Sequence, residues 1–184
     1  MQFGVCGELE IGDIADRAGY AYLECPVGAF LKPREDEPAF LDSLNSFRTA
    51  GLTVPALNCF LPADLKVTGP DSDPAALEKY VTTAFRRAGK ACVNVIVFGS
   101  GGARQIPEGF DRKAAHDQIV RFCRMCARSA GENGVTLAVE PLSKSDCNVI
   151  NTVAEAVEIV REVDHPAVRF LVDAYHFFRN SDSL

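Results

Sequence analysis

Short apolar runs alternate along the chain with longer segments in which hydrophobic residues follow a helical spacing. The apolar runs predict six strands: QFGVC, YAYLEC, LTVPALNCF, VNVIVF, VTLAV and VRFLVDAYH. VNVIVF and VTLAV are nearly continuous and rich in β-branched residues, which is typical of strands that helices cover. The segments between the runs predict helices at residues 9–18, 37–50, 74–88, 112–131 and 152–163.

The starts of two predicted helices carry the residues that helix ends favour. Asp73 followed by Pro74 supplies an N-cap and a proline at the first helical position. Thr152 and Glu155 have the spacing of a capping box, in which hydroxyl and carboxylate each accept a hydrogen bond from a free backbone N–H. These residues therefore fix where the helices begin.

Strict alternation of strands and helices predicts parallel strands joined by right-handed crossovers. Two architectures satisfy this pattern: an open doubly wound sheet, and part of a TIM (β/α)8-type barrel. No linker or low-complexity segment divides the chain, so residues 1–184 are expected to form one domain. Long loops at residues 59–73 and 99–110 follow strands, which is where functional residues lie in both architectures.

Polar residues stand where the predicted strands end. Glu24 ends the second strand, Asn58 the third and Glu140 the fifth. Asp173 ends the sixth strand, and His176 follows three residues later. Because the carboxyl ends of parallel strands meet at one face, these side chains are expected to converge there. Carboxylates and an imidazole suit a divalent cation such as Mn²⁺, Co²⁺, Mg²⁺ or Zn²⁺, whereas the alternative is that each residue only caps a loop.

A glycine-rich segment, GSGGAR at residues 99–104, follows the fourth predicted strand. One interpretation is a phosphate cradle with Arg104 as the counter-charge, and the other is a flexible loop at the mouth of the site. The segment is not a dinucleotide-binding fingerprint, because no helix follows at once and Pro107 intervenes. Arg104 and Asn58 are therefore candidates for substrate binding.

Composition and charge exclude several classes of protein. The chain of 184 residues is 47% hydrophobic and 24% charged, as in folded globular proteins. Its net charge of −6 disfavours a nucleic acid as the main partner. No apolar stretch is long enough for a bilayer and no signal peptide is recognised, so neither a membrane nor secretion is expected. Seven scattered cysteines favour a reducing, cytoplasmic setting, with Cys6 and Cys59 as small buried residues.

Three motifs occur in order: AVEPL at 138–142, NVINT at 148–152 and LVDAYH at 171–176. Together they resemble the sugar phosphate isomerase/epimerase family, and VIVFGSGGARQIPEGF at 95–110 is similar to the fourth-strand region of one subgroup. That family shares the xylose isomerase-like TIM barrel with ketose 3-epimerases, hydroxypyruvate isomerases, inosose dehydratases and endonuclease IV. The resemblance covers essentially the whole chain and favours the barrel over the doubly wound sheet.

The resemblance also implies roles for individual residues. Members bind a divalent metal ion through ligands at the ends of strands 5 to 8, and Glu140 and Asp173 match the first two ligands. His176 matches a histidine that contacts a substrate oxygen near the metal, and Asp146 falls where a substrate-binding glutamate often stands. Strands 7 and 8 are not found, so an incomplete barrel of about six β/α units is expected.

The implied function is a metal-dependent sugar or sugar phosphate isomerase or epimerase that acts on a small-molecule substrate. The cation would stabilise the enediolate formed when a carboxylate removes a proton next to a carbonyl, and Glu140 would be one of two such carboxylates. This truncated chain is expected to turn over sugars poorly or not at all. Unpaired first and sixth strands are expected to cause aggregation, pairing with another copy or dependence on a further segment.

Two other functions remain open. A lyase that dehydrates a keto-polyol would use the same cation and the same proton abstraction, and would then expel hydroxide. A non-catalytic remnant that keeps the fold for binding belongs to a different class. Activity like that of endonuclease IV is disfavoured, since three histidines are too few for its larger set of ligands.

Overall fold

The computed structural model of the protein describes residues 2–49 and 52–180. Within these residues, six strands alternate with helices. The strands are β1 Gly4–Cys6, β2 Tyr22–Pro26, β3 Thr53–Asn58, β4 Val95–Phe98, β5 Thr136–Val139 and β6 Val168–Phe170. The helices are α1 Gly12–Arg17, α2 Val27–Phe30, α3 Glu37–Thr49, α4 Pro74–Lys90, α5 Gly101–Arg104, α6 Arg112–Glu132, α7 Val153–Val163 and α8 Ala174–Arg179.

The sheet is parallel throughout, and its strands lie side by side in chain order from β1 to β6. A doubly wound sheet reverses its strand order at a switch point, whereas a (β/α) barrel places each strand next to its predecessor. The sequential order therefore confirms the barrel-type arrangement of six β/α units and excludes the doubly wound alternative. All the carboxyl ends of the strands consequently face the same side of the molecule.

The predicted helix starts are confirmed at atomic detail. Asp73 precedes α4, and its Oδ1 accepts hydrogen bonds from the backbone N–H groups of Ala75 and Ala76 at 2.9 and 3.1 Å. At the start of α7, the Glu155 N–H donates to Thr152 Oγ1 at 3.1 Å, and the Thr152 N–H donates to Glu155 Oε2 at 3.3 Å. Both caps satisfy donors that a helix otherwise leaves unpaired.

Some boundaries differ from the prediction. Helix α4 continues to Lys90, two residues beyond its predicted end, and the predicted end of α3 at residue 50 lies outside the described residues. The short helices α2, α5 and α8 were not predicted, because four to six residues are too few to establish a helical period. Each of the three follows a strand, and two of them border the site described below.

The core fills the space between the sheet and its helices. Phe60 lies at the centre of an aromatic cluster, with its ring centroid 5.6 Å from that of Phe85 and 6.1 Å from that of Phe122. Phe98 at the end of β4 packs on Phe122 at 5.0 Å. Because Phe98 ends β4 and Phe60 lies two residues beyond β3, this cluster packs beneath the carboxyl ends of the central strands.

At both edges of the sheet, apolar side chains are exposed. Phe3 precedes β1, whereas Phe170 and Val172 lie at and just beyond the end of β6, and Phe178 lies on α8. Exposed apolar groups that cluster in this way commonly mark a surface that another segment or molecule covers. None of the helices in residues 2–49 and 52–180 is long and apolar enough to cross a membrane.

Candidate active site

A cleft of about 670 Å³ opens at the carboxyl ends of the strands. Its walls combine acidic, thiol and small side chains that come from every part of the sheet. They are Cys6, Glu24, Asn58, Cys59, Leu61, Ala63, Val97, Gly99, Ser100, Gly101, Gly102, Glu140, Leu142, Asp146, Leu171, Val172, Asp173 and His176. The predicted convergence of strand-end residues is therefore observed for Glu24, Asn58, Glu140, Asp173 and His176.

Glu140 follows β5 directly and is held there by the sheet. Its backbone N–H donates to the carbonyl oxygen of Phe98 at 3.2 Å, which extends the pairing of β4 and β5 by one residue. The carboxylate lies against Gly99, where any Cβ would collide with Glu140 Oε2. A larger residue at position 99 would therefore force the Glu140 carboxylate out of its present position.

The surroundings of Glu140 favour its protonated form. Burial and the neighbouring charge of Asp173 raise the pKa of Glu140 from 4.5 to about 7, with a smaller contribution from Glu24. The cation of Arg104 acts in the opposite direction. A carboxyl group with a pKa near neutrality can both take up and release a proton at ordinary pH, which is the property of a general acid–base group.

Asp173 fixes the entry to α8. Its Oδ1 accepts hydrogen bonds from the backbone N–H groups of Tyr175 at 2.7 Å and His176 at 3.2 Å, as an N-cap does. This cap sets the orientation of the helix that carries His176. The alternative to a metal site was that each strand-end residue only caps the segment that follows it. Asp173 does cap α8, but it also faces the cleft.

Glu140, Asp173 and His176 each offer one ligand atom, and these three atoms lie within 4.8 Å of one another. Two carboxylate oxygens and an imidazole nitrogen form a donor set that suits Mn²⁺, Co²⁺ or Zn²⁺. A bound cation would also offset the repulsion between the two carboxylates. The residues present therefore fit the divalent metal ion that the sequence predicted.

The hydrogen bonding of His176 gives its two nitrogens different roles. The backbone N–H of Ser143 donates to His176 Nδ1 at 3.1 Å, so in the neutral ring the proton resides on Nε2. An Nε2–H group donates a hydrogen bond and does not coordinate a cation. This geometry favours His176 as a donor to a substrate oxygen over its use as a third metal ligand.

The other predicted substrate-binding residues border the same cleft. Asp146 accepts a hydrogen bond from Ser143 Oγ, and its Oδ2 lies 3.6 Å from His176 Nδ1. Its side chain stays 46% exposed, so one edge of the carboxylate remains available to a ligand. Asn58 lines the cleft at the end of β3, beside the thiol of Cys6.

For Arg104 the structure requires a correction. The side chain is fully buried behind the cleft, where its guanidinium donates to the carbonyl oxygens of Phe98 at 2.7 Å and Glu140 at 2.6 Å. Its charge is directed toward the main chain, so it does not meet a substrate anion in the cleft. The interpretation of the GSGGAR segment as a phosphate cradle is therefore not supported by the position of its arginine.

Two thiols in the cleft were not predicted. Cys6 and Cys59 are exposed, contrary to the expectation that they would be small buried residues. Partial burial of each thiol group raises the pKa of both, so the thiol form is favoured over the thiolate. Cys6 is the last residue of β1 and Cys59 directly follows β3, so a strand-end position, the same signal that indicates the carboxylates, could have identified both thiols.

Known proteins resemble this chain in both sequence and structure. D-psicose 3-epimerase of Ruminiclostridium cellulolyticum is 29% identical over 129 residues, which is 66% of this chain and 43% of that protein. The match thus spans less than half the length of this curated relative. In solved structures, D-psicose 3-epimerase from Clostridium cellulolyticum H10, determined with D-tagatose, has a TM-score of 0.82 and 22% identity over all of this chain and 67% of that one.

A second solved structure, 3-keto-D-glucoside 4-epimerase from E. coli, has a TM-score of 0.81 and 17% identity, and covers all of this chain and 72% of that one. L-ribulose 3-epimerase has a TM-score of 0.75 and 16% identity, over 97% of this chain and 62% of that one. At these identities the structural likeness concerns the fold. The model of the xylose isomerase-like TIM barrel family matches residues 13–183, and the chain belongs to that family.

Proposed function

We propose that this chain carries part of the active site of a divalent metal-dependent sugar isomerase or epimerase. The observation that carries the proposal is the meeting of Glu140, Asp173 and His176 in one cleft at the carboxyl ends of the strands. Their chemistry suits the movement of a proton next to a carbonyl group. Relatives whose names specify epimerases of psicose, ribulose and a keto-glucoside indicate a ketose or another keto-sugar as the substrate class.

In this proposal, Glu140 and Asp173 hold a divalent cation. The cation supplies polarisation of the substrate carbonyl and neutralises negative charge that develops on its oxygen. Glu140 and Asp173 are suited to hold it because both follow strands of a rigid sheet, so their separation changes little. Asp173 is additionally fixed by its bonds to the N-terminus of α8.

Glu140 moves the proton. Its carboxylate removes the proton from the carbon next to the carbonyl, and the electron pair of the C–H bond passes to the carbonyl oxygen to give an enediolate. Return of the proton to the neighbouring carbon isomerises the sugar, whereas return to the opposite face of the same carbon inverts it. The place of Glu140 in the cleft, with a carboxylate oxygen within 4.8 Å of ligand atoms of Asp173 and His176, supports this role, because a base must reach the carbon next to a carbonyl that the cation polarises.

The remaining predicted residues orient the sugar. His176 donates from Nε2 to a substrate oxygen, while Ser143 holds the ring through Nδ1. Asp146 accepts hydrogen bonds from hydroxyl groups of the sugar at the border of the cleft, and Asn58 can donate or accept them. We further propose that residues 1–184 act as one domain, whose exposed apolar edges beside β1 and β6 pair with another segment or another copy of the chain.

Solvent hydrogen exchange tests the proposal more sensitively than net conversion, because removal and return of a proton on one face suffices. The chain is incubated with Mn²⁺ and D-psicose or D-tagatose in D₂O, and deuterium in the recovered sugar is measured by NMR. We expect deuterium next to the carbonyl with little net conversion, and a loss of about 100-fold or more in Glu140→Gln. Glu158→Gln, an exposed glutamate on α7, is the matched control.

Three results would contradict the proposal. They are the absence of exchange in the wild-type chain, exchange that survives in Glu140→Gln, and exchange that EDTA does not reduce. Loss of water from the sugar instead of exchange would assign the site to a dehydratase. The sugar is therefore also analysed by mass, which separates a product lighter by one water from a deuterated one.

A further inference from the structure

Arg104 is a fully buried cation whose terminal nitrogens both donate to backbone carbonyl oxygens. Nη1 lies 2.7 Å from the oxygen of Phe98 and Nη2 lies 2.6 Å from the oxygen of Glu140. The guanidinium carbon also lies 5.3 Å from the centroid of the Phe98 ring. Burial of a guanidinium away from water is costly, and here two short charge-assisted hydrogen bonds offset part of the cost.

The two carbonyl groups belong to the ends of neighbouring strands. The last paired residues of β4 and β5 are Phe98 and Val139, and beyond them only the Glu140 N–H reaches back to the Phe98 oxygen. The planar fork of Arg104 joins both segments at this point, just beyond the last paired residues of the two strands. It therefore fixes the backbone from which the Glu140 side chain projects into the cleft.

Two glycines of the GSGGAR segment also lie in close contact with candidate site residues. A Cβ at Gly99 would collide with the Glu140 carboxylate, and a Cβ at Gly101 would lie 2.7 Å from the carbonyl oxygen of Asp146. The segment thus packs directly against two candidate site residues. Arg104 anchors it, with the Arg104 carbonyl oxygen accepting a hydrogen bond from Thr68 Oγ1 at 3.1 Å.

We propose that Arg104 is a positioning residue, which clamps the ends of β4 and β5 and thereby aligns the Glu140 carboxylate with Asp173 and His176. The clamp acts on the main chain and makes no contact with substrate. Its effect on metal binding rests on the proposed function, whereas its effect on the strand end does not.

Two substitutions of Arg104 distinguish the effect of its positive charge from the effect of its two hydrogen bonds to neighbouring strand ends. Arg104→Met keeps an apolar chain and removes every donor, whereas Arg104→Lys keeps one charged donor that reaches a single carbonyl. Arg87→Met is the matched control, because Arg87 is equally a buried arginine that donates to backbone carbonyl groups, among them Leu31 and Glu35. Arg87 lies outside the cleft, so its loss tests for general destabilisation.

Amide hydrogen exchange followed by NMR measures the clamp without any ligand. In Arg104→Met we expect the Glu140 amide to exchange at least about tenfold faster relative to the amide of Leu137 in β5, which donates to the carbonyl oxygen of Ala167, just before β6. Arg104→Lys is expected to be intermediate, and Arg87→Met to leave the ratio unchanged. Equal acceleration of both amides in Arg104→Met, or no acceleration, would overturn the proposal.

Calorimetric titration with Mn²⁺ then measures the consequence for the site. We expect the dissociation constant of Arg104→Met to rise about 10- to 100-fold, as when outer-shell partners of a metal site are removed, and that of Arg87→Met to stay within about twofold. Wild-type affinity retained in Arg104→Met would overturn the alignment role. If Arg104→Met loosens the Glu140 amide selectively but the wild-type chain binds no Mn²⁺, the proposed function is refuted and the clamp is still supported.

Discussion

At the scale of single residues, Glu140 carries an unfavourable charge inside the protein. Burial and Asp173 raise its pKa from 4.5 to about 7, so the folded chain binds this proton more tightly than the unfolded chain. The protonated carboxyl therefore adds no penalty below pH 4.5. As the pH rises from about 4.5 to about 7, the folded state loses the corresponding stability, because the unfolded chain releases its proton first.

Glu140→Gln should accordingly remove a penalty that exists only at higher pH. We expect the variant and the wild type to differ little in free energy of unfolding at pH 4, and the variant to gain up to about 3 kcal/mol at pH 8. Urea denaturation at both pH values measures this, with Glu158→Gln as the control that removes an exposed glutamate. A gain of the same size at pH 4 and pH 8 would show that another effect dominates.

A second prediction concerns the space that Gly99 leaves. In Gly99→Ala the new Cβ meets Glu140 Oε2, so the carboxylate must rotate away from its neighbours. We expect about a tenfold or larger loss in Mn²⁺ affinity, measured by calorimetry. Gly28→Ala is the matched control, since nothing lies within 4 Å of a Cβ at that position. Unchanged affinity in Gly99→Ala would mean that Glu140 can hold a cation from a different rotamer.

The sequence was sufficient to predict which carboxylates meet, and it failed for Arg104. Glu140 and Asp173 follow apolar runs directly, so the geometry of a parallel sheet alone places them at one face. Arg104 lies six residues beyond β4, and a side chain of that length reaches either the cleft or the core. Only the path of α5, which directs the guanidinium back to the strand ends, decides between these two directions.

At the scale of elements, helix starts were predicted accurately because their signals are local. The capping box of α7 joins residues three apart, so no distant part of the chain is needed to recognise it. The short helices α2, α5 and α8 depend instead on the turns that follow strands. Their formation depends on tertiary packing, and hydrophobic periodicity over so few residues does not reveal it.

The cap of α7 supplies a prediction at this scale. Thr152→Ala removes the hydroxyl that accepts the Glu155 N–H, and we expect the free energy of unfolding to fall by about 1 kcal/mol. Thr83→Ala on α4 serves as the control, because that hydroxyl donates to Lys79 within a helix and caps nothing. Urea denaturation measures both variants. Equal losses of unfolding free energy would show that the capping hydroxyl stabilises the protein no more than an ordinary hydroxyl within a helix.

At the scale of the whole molecule, strand order was settled by the structure. Alternating strands and helices are compatible with two architectures, and nothing in local propensity distinguishes them. The motifs AVEPL and LVDAYH favoured the barrel through a family resemblance. The structure confirms that fold, because each strand from β1 to β6 pairs with the next one along the chain.

Those edges lead to a prediction about association. Phe170 is exposed at the end of β6, where pairing with another copy of the chain would cover it. We expect sedimentation velocity to show self-association that grows with concentration and that Phe170→Ser weakens. Leu41→Ser, which removes an exposed apolar side chain from α3, should leave it unchanged. A stable monomer at every concentration would contradict this expectation.

The most direct measurement of the central claim is calorimetric titration of the chain with Mn²⁺ as a function of pH. If Glu140 and Asp173 hold the cation, binding must displace the proton that Glu140 retains up to a pKa of about 7. We therefore predict that affinity rises by close to tenfold per pH unit from pH 5.5 to 7 and levels off above, with loss of binding in Glu140→Gln and Asp173→Asn. Absence of binding at pH 8, or binding that neither substitution weakens, would contradict the account.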